Sequence, residues 1–128
     1  MSKQIEQLTN TFTDECVLAI KIKNKQSISH IFEILRTLTD TCMLKFSLND
    51  EKKQKGKLKI YKNTDSKCLI KCELKVKYLK FDSNHIFKIG ETLVAPICER
   101  LNVLTNDPLL IKIRYDQQNF HLSIDNIS

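Results

Sequence analysis

Residues 38–47, LTDTCMLKFS, and residues 104–115, LTNDPLLIKIRY, run through the same succession. A leucine closes a stretch of helical spacing, a short polar turn follows, and apolar and polar residues then alternate. Leu38-Thr39-Asp40 matches Leu104-Thr105-Asn106, and Leu44-Lys45-Phe46 matches Ile111-Lys112-Ile113 after one inserted residue. Period-two alternation predicts a strand with one buried face, and the spacing before it predicts a helix. A corner written twice predicts a helix-to-strand unit written twice.

Working outward, Cys16, Leu18, Ile20 and Ile22 alternate with Ala19, Lys21 and Lys23 and read as a half-buried strand. Ser27 reads as the N-cap of a helix reaching about Thr39, with Ile28, Ile31, Leu35 and Leu38 as its apolar stripe and Ile34 beside it. After the second strand, NDEKKQKG (49–56) is a charged hairpin turn. KLKIYK (57–62) follows as a strand with Leu58 and Ile60 inward. KCLIKCELKVKYLKF (67–81) is a long strand placing Cys68, Ile70, Cys72, Leu74 and Val76 on one face and Lys71, Glu73, Lys75 and Lys77 on the other. Leu79 and Phe81 change its apolar phase, which predicts a bend. A turn at 82–84 leads to HIFKI (85–89), a strand with Ile86 as a core residue. Gly90 breaks the chain before a helix with Pro96 in its first turn and Leu93, Ile97, Leu101 and Leu104 on one face. LLIKIRY, the turn DQQN (116–119) and FHLSI (120–124) close a hairpin. The predicted order is β-α-β-β-β followed by β-α-β-β. Two such units join their strands into one surface with both helices on one face.

At 128 residues, with 41% hydrophobic and 28% charged side chains, the chain has the balance of one globular domain. Residues 1–14 are weakly patterned and are expected to be a flexible tail, in which Ile5, Leu8 and Phe12 are the only apolar anchors for a short docked helix. Residues 15–128 form the domain. The N-terminal stretch lacks the apolar core of a signal peptide, and no apolar run approaches the roughly 18 residues of a membrane span, so an intracellular protein with no membrane partner is expected.

Five cysteines, an odd number, sit within apolar patterns and read as buried reduced thiols. Cys68 and Cys72 have no second pair to complete a zinc site. The three histidines are isolated, and Gly56 and Gly90 cannot build a phosphate loop. No nucleophile or metalloprotease motif occurs, so neither catalysis nor a cofactor is expected. The net charge of +6 favours an anionic partner. Only three of the 21 basic residues are arginine. That fits attraction to phosphates rather than the reading of bases, for which the guanidinium fork is suited.

Over residues 16–124 this order of elements resembles the N-terminal domain of the eukaryotic-type DNA sliding clamps, the proliferating-cell-nuclear-antigen family. The resemblance is carried by the element order and helix lengths, by GKLKIYKNTDSKCLIKCEL (56–74) and by FKIGETLVAPICERLNVLTNDPLLIKI (87–113). Its clearest local echo is TDSKCLIKCEL. There Asp65, Ser66, Cys68 and Leu69 match a stretch the family leads into a strand, while Lys67 stands where a histidine is usual. It covers one of a clamp subunit's two domains and reaches Ile124, short of that domain's last strand. A clamp also has a connector between its domains with a peptide-binding pocket, which has little counterpart here.

The resemblance implies an α+β, clamp-like domain: an antiparallel sheet with two helices packed on one face. It also implies a non-enzymatic processivity factor or accessory protein of DNA replication or repair, acting on double-stranded DNA without sequence preference or scaffolding replication or repair proteins. Its place would be the nucleus or, for a viral protein, the host-cell replication compartment. The alternative is a small interaction module, viral or otherwise, that keeps the fold and does not bind DNA. Because clamps turn their helices to the duplex, Arg36 and Arg100 are the first candidates for phosphate contact, with Lys112 and Arg114 after them. The outward helix positions are nevertheless nearly neutral. The lysines crowd the solvent face of the strands, where they discourage edge-to-edge aggregation or form a DNA-contacting stripe. Lys67, Cys68, Phe120 and Leu122 are the candidate partner contacts. Unpaired backbone is expected on FHLSI or on VLAIKIK (17–23), with self-association through such an edge.

Overall fold

The computed structural model describes residues 16–65, 67–82, 88–116 and 119–127. The expected tail and Ile86 lie outside these residues. The element order is β1 (Cys16–Ile22), α1 (Lys25–Leu38), β2 (Thr41–Asp50), β3 (Lys55–Asn63), β4 (Cys68–Phe81), β5 (Lys88–Leu93), α2 (Val94–Val103), β6 (Leu109–Asp116) and β7 (Asn119–Asn126). All seven strands form one antiparallel sheet in the order β5-β2-β3-β4-β1-β6-β7. The fold is α+β, and the succession of strands and helices is the one the repeated corner predicts.

The strands of the two expected units are nested rather than set side by side. Strands β1 to β4 fill the middle of the sheet, while β5 lies outside β2 and the β6–β7 hairpin lies beyond β1. Long β4 joins the halves: residues 68–77 pair with β3 and residues 77–81 pair with β1. VLAIKIK is therefore a central strand, contrary to its expectation as an edge, and the edges are β5 and β7. Central placement also explains why β1 is buried on both faces instead of one. Val17, Leu18, Ile20 and Ile22 join the main core, while Cys16 and Ala19 pack with Leu110, Leu79 and Ile127 on the other side.

Two bulges set those faces. One extra residue in β1 between Cys16 and Leu18 puts Cys16 out of phase with Leu18 and Ile20, with which the alternation had grouped it. In β4 the buried phase runs on through Val76 to Tyr78. The extra residue then falls at Leu79, between the partners of Ile20 and Ala19. A third bulge lies in β5, where Glu91 has φ 56°. Gly90 lies inside that strand and is not a break before the helix.

Helix α1 starts two residues before the predicted cap. Asn24 is extended (φ −118°) and its side chain accepts from the Gln26 amide at 3.0 Å. Asn caps at least as well as Ser and comes first after the strand, so Ser27 falls within the first turn. The buried stripe is Ile28, Phe32 and Leu35, with Ile31 partly covered. Phe32 was missing from the expected stripe, and Leu38 is 51% exposed because the chain turns away into β2 at that residue. In α2 the buried residues are Val94, Ile97, Cys98 and Leu101, whereas Leu93 is the exposed N-cap residue. Both helices bury these residues in the same core cluster as Leu44, Phe46, Leu58, Ile60 and Ile111, so they cover one face of the sheet. They pack on each other, with the Cys98 thiol 3.1 Å from the Phe32 carbonyl oxygen. Among the described residues, no helix is long and apolar enough to cross a membrane.

Candidate functional site: the lysine face of the sheet

The face of the sheet away from the helices is built by strand alternation. Each lysine between two core residues of a central strand points there, and antiparallel pairing places lysines of neighbouring strands opposite one another. One row reads Lys88–Lys45–Lys59–Glu73 across β5, β2, β3 and β4. The next reads Ser47–Lys57–Lys75, and another Lys55–Lys77–Lys21 across β3, β4 and β1. Lys80 and Lys112 flank Ala19, and Arg114 stands opposite His121. Tyr61 lies between Met43 and Lys71 and is 7% exposed, its ring under the Lys59 ammonium at 5.2 Å.

Directly opposed like charges repel, and neighbouring lysines add to a lowering of the Lys59 pKa that desolvation leads. Its ammonium is held below the ordinary lysine value, first by partial desolvation and then by Lys71 and Lys45, against the smaller pull of Glu73. Glu73 is the acid within this field, 3.7 Å from Lys57 and 3.9 Å from Lys71. Asp50 and Asp125 are at its margins, opposite Lys55 and Leu110. Such a surface concentrates polyanions by charge, and its lysines are point charges able to meet phosphate oxygens from any direction.

The four expected phosphate contacts fall on opposite sides of the sheet. Lys112 and Arg114 belong to the lysine face. Arg36 and Arg100 are exposed on the helices, where little net charge supports them. Arg36 shares its surroundings with Glu33 and Glu99, all three acting on the Cys98 thiol, which burial pushes up. Arg100 is tied to β7: its Nε donates to the Ile124 carbonyl at 2.8 Å and its guanidinium pairs with Asp125 at 2.6 Å. The remaining basic residue of the helices, Lys25, donates to the Leu104 carbonyl at 2.7 Å. The lysine face could be found from the strand pattern. Its row-by-row register could not, because pairing depends on which strands become neighbours.

The expected partner residues are also dispersed. Lys67, just before β4, and Cys68, its first residue, are exposed. Phe120 and Leu122 lie on edge strand β7, with the Phe120 ring tilted against Tyr115 at 5.0 Å between centroids and Leu122 packed against the core. Cys68 departs from the expectation of buried thiols. Cys16, Cys42 and Cys98 are buried, Cys72 is half-buried and Cys68 is exposed. Bonding to β3 begins only at Asn63–Cys68, so the first side chains of β4 lie at the rim of the sheet. Among the described residues, no group of three or more His, Cys, Asp or Glu side chains converges as a metal site.

No protein-family model, curated protein or solved structure significantly matches this chain.

Proposed function

We propose that this chain is a non-enzymatic accessory protein of DNA replication or repair, clamp-like in the order of its elements, that binds double-stranded DNA without regard to sequence. The carrying observation is the register of the lysine face, where basic side chains lie opposite one another across β5, β2, β3, β4 and β1 with Glu73 as the acid among them. In this reading the duplex lies against the open face of the sheet and not against the helices. The neutral surroundings of Arg36 and the Arg100–Asp125 pair support that choice. Lysine suits such binding because it meets phosphates and carries no planar fork for base edges. The single aromatic ring on the central strands of this face, Tyr61, is covered and offers no platform for stacking unpaired bases, which favours duplex over single strands.

The test is equilibrium binding to duplexes of unrelated sequence over a series of salt concentrations. Equal affinities for all of them, with log Kobs falling linearly against log salt, are expected. No binding at low salt would instead support a protein-interaction module of this fold.

A further inference from the structure

A face of mutually repelling lysines relieved at its centre by one carboxylate has a property that an all-basic face lacks. Glu73 sits in β4 directly opposite Lys59 and reaches Lys57 across the strands and Lys71 along its own strand. Both ion pairs are long, and their side chains are between 44% and 51% exposed, so neither holds its partners firmly. A carboxylate at such a place presents to Lys57 and Lys71 what a phosphate would present: anionic oxygens within their reach.

We infer that Glu73 is a resident counter-anion of the lysine face, competing from its central anion position with the phosphates of the bound polyanion for the lysines around it. This inference rests on the reading of that face as a DNA-binding surface. In the complex the carboxylate then keeps a share of Lys57 and Lys71 that phosphate would otherwise take. This competition lowers affinity and keeps the attachment reversible. Glu73 is a positioning residue: it acts on the ligand through the lysines it holds.

The experiment compares the whole chain with its Glu73→Gln and Glu99→Gln variants in duplex binding across a salt series. Freed of the carboxylate, the lysines should engage at least one further phosphate. Glu73→Gln should then raise affinity about five- to tenfold near 0.1 M salt and steepen the log–log slope by about 0.9 for each additional phosphate engaged. Glu99→Gln, on the helix side, should leave both unchanged. Adding Lys57→Gln to Glu73→Gln should return the slope toward that of the parent, a result that a purely structural role for Glu73 would not produce. Equal gains from Glu73→Gln and Glu99→Gln would reduce the effect to net charge and overturn the inference. An unchanged slope in Glu73→Gln, with the parent binding normally, would also overturn it. Failure of the parent chain to bind at low salt would reject the reading of the face itself.

Discussion

Gly56 is where the backbone leaves least room. A Cβ there would run into the Ser47 carbonyl oxygen and the Tyr78 ring, which lies over the glycine and donates from its hydroxyl to the Lys57 carbonyl at 3.2 Å. Gly56→Ala should therefore destabilise by about 1–3 kcal/mol in denaturant unfolding, as overpacking does. Gly90→Ala, whose nearest neighbour is the Met43 methyl at 3.8 Å, should cost far less. The cysteines divide in the same way. Cys68 should react with iodoacetamide in the folded protein, while Cys16, Cys42 and Cys98 react only on unfolding. Burial raises Cys42 from its ordinary 9.0 to about 11, so above pH about 9 the unfolded chain has lost the proton that the folded chain still holds. Fewer protons bound in the unfolded state make stability fall as pH rises. Tyr78, also pushed up by burial, adds to the same trend. The denaturation midpoint should accordingly decline between about pH 9 and pH 11, and an increase over that window would contradict the assignment.

At the level of elements, the repeated corner was legible because helix spacing and strand alternation are local properties. What each corner touches was not. Leu38 is 51% exposed at the first corner, whereas its counterpart Leu104 packs on the core. At the second corner the Asn126 side chain accepts from the Thr105 amide at 2.9 Å and donates to the Thr105 carbonyl at 3.2 Å. A partner 21 residues away in sequence cannot be read from a turn motif. The same limit explains β1: its alternation predicted one buried face, and only the arrival of β4 and β6 on either side buries the other. Helix phase gives a direct check. Leu35→Ala and Leu101→Ala should each cost about 2–5 kcal/mol, while Leu38→Ala and Thr37→Ala should cost little. Asn24→Ala should cost about 1 kcal/mol through the lost cap, and Ser27→Ala clearly less. Equal losses at Asn24 and Ser27 would place the helix start wrongly.

For the whole molecule, charge is divided between the two sides of one sheet. The core and the helices account for one face, and on the other, among the described residues, the lysine rows cover little beyond the Tyr61 ring under Lys59. Their mutual repulsion leads to an expectation without any ligand: added salt should raise the melting temperature of the free protein by screening the opposed lysines. The edges are treated differently from the face. Bulged β5 and β7, the latter held by Arg100, end the sheet, so self-association through 118–124 has to compete with the Arg100 bond at the Ile124 carbonyl. Under the proposed function, duplex DNA meets the lysine face. The most direct test is the salt dependence of duplex binding by the parent, by Lys57→Glu with Lys75→Glu, and by Arg36→Glu. The lysine variant should bind more weakly on every sequence and lose about 0.9 of log–log slope per phosphate contact removed, with Arg36→Glu close to the parent. Loss of binding and slope in Arg36→Glu, with the lysine variant unaffected, would put the duplex on the helices and contradict the account.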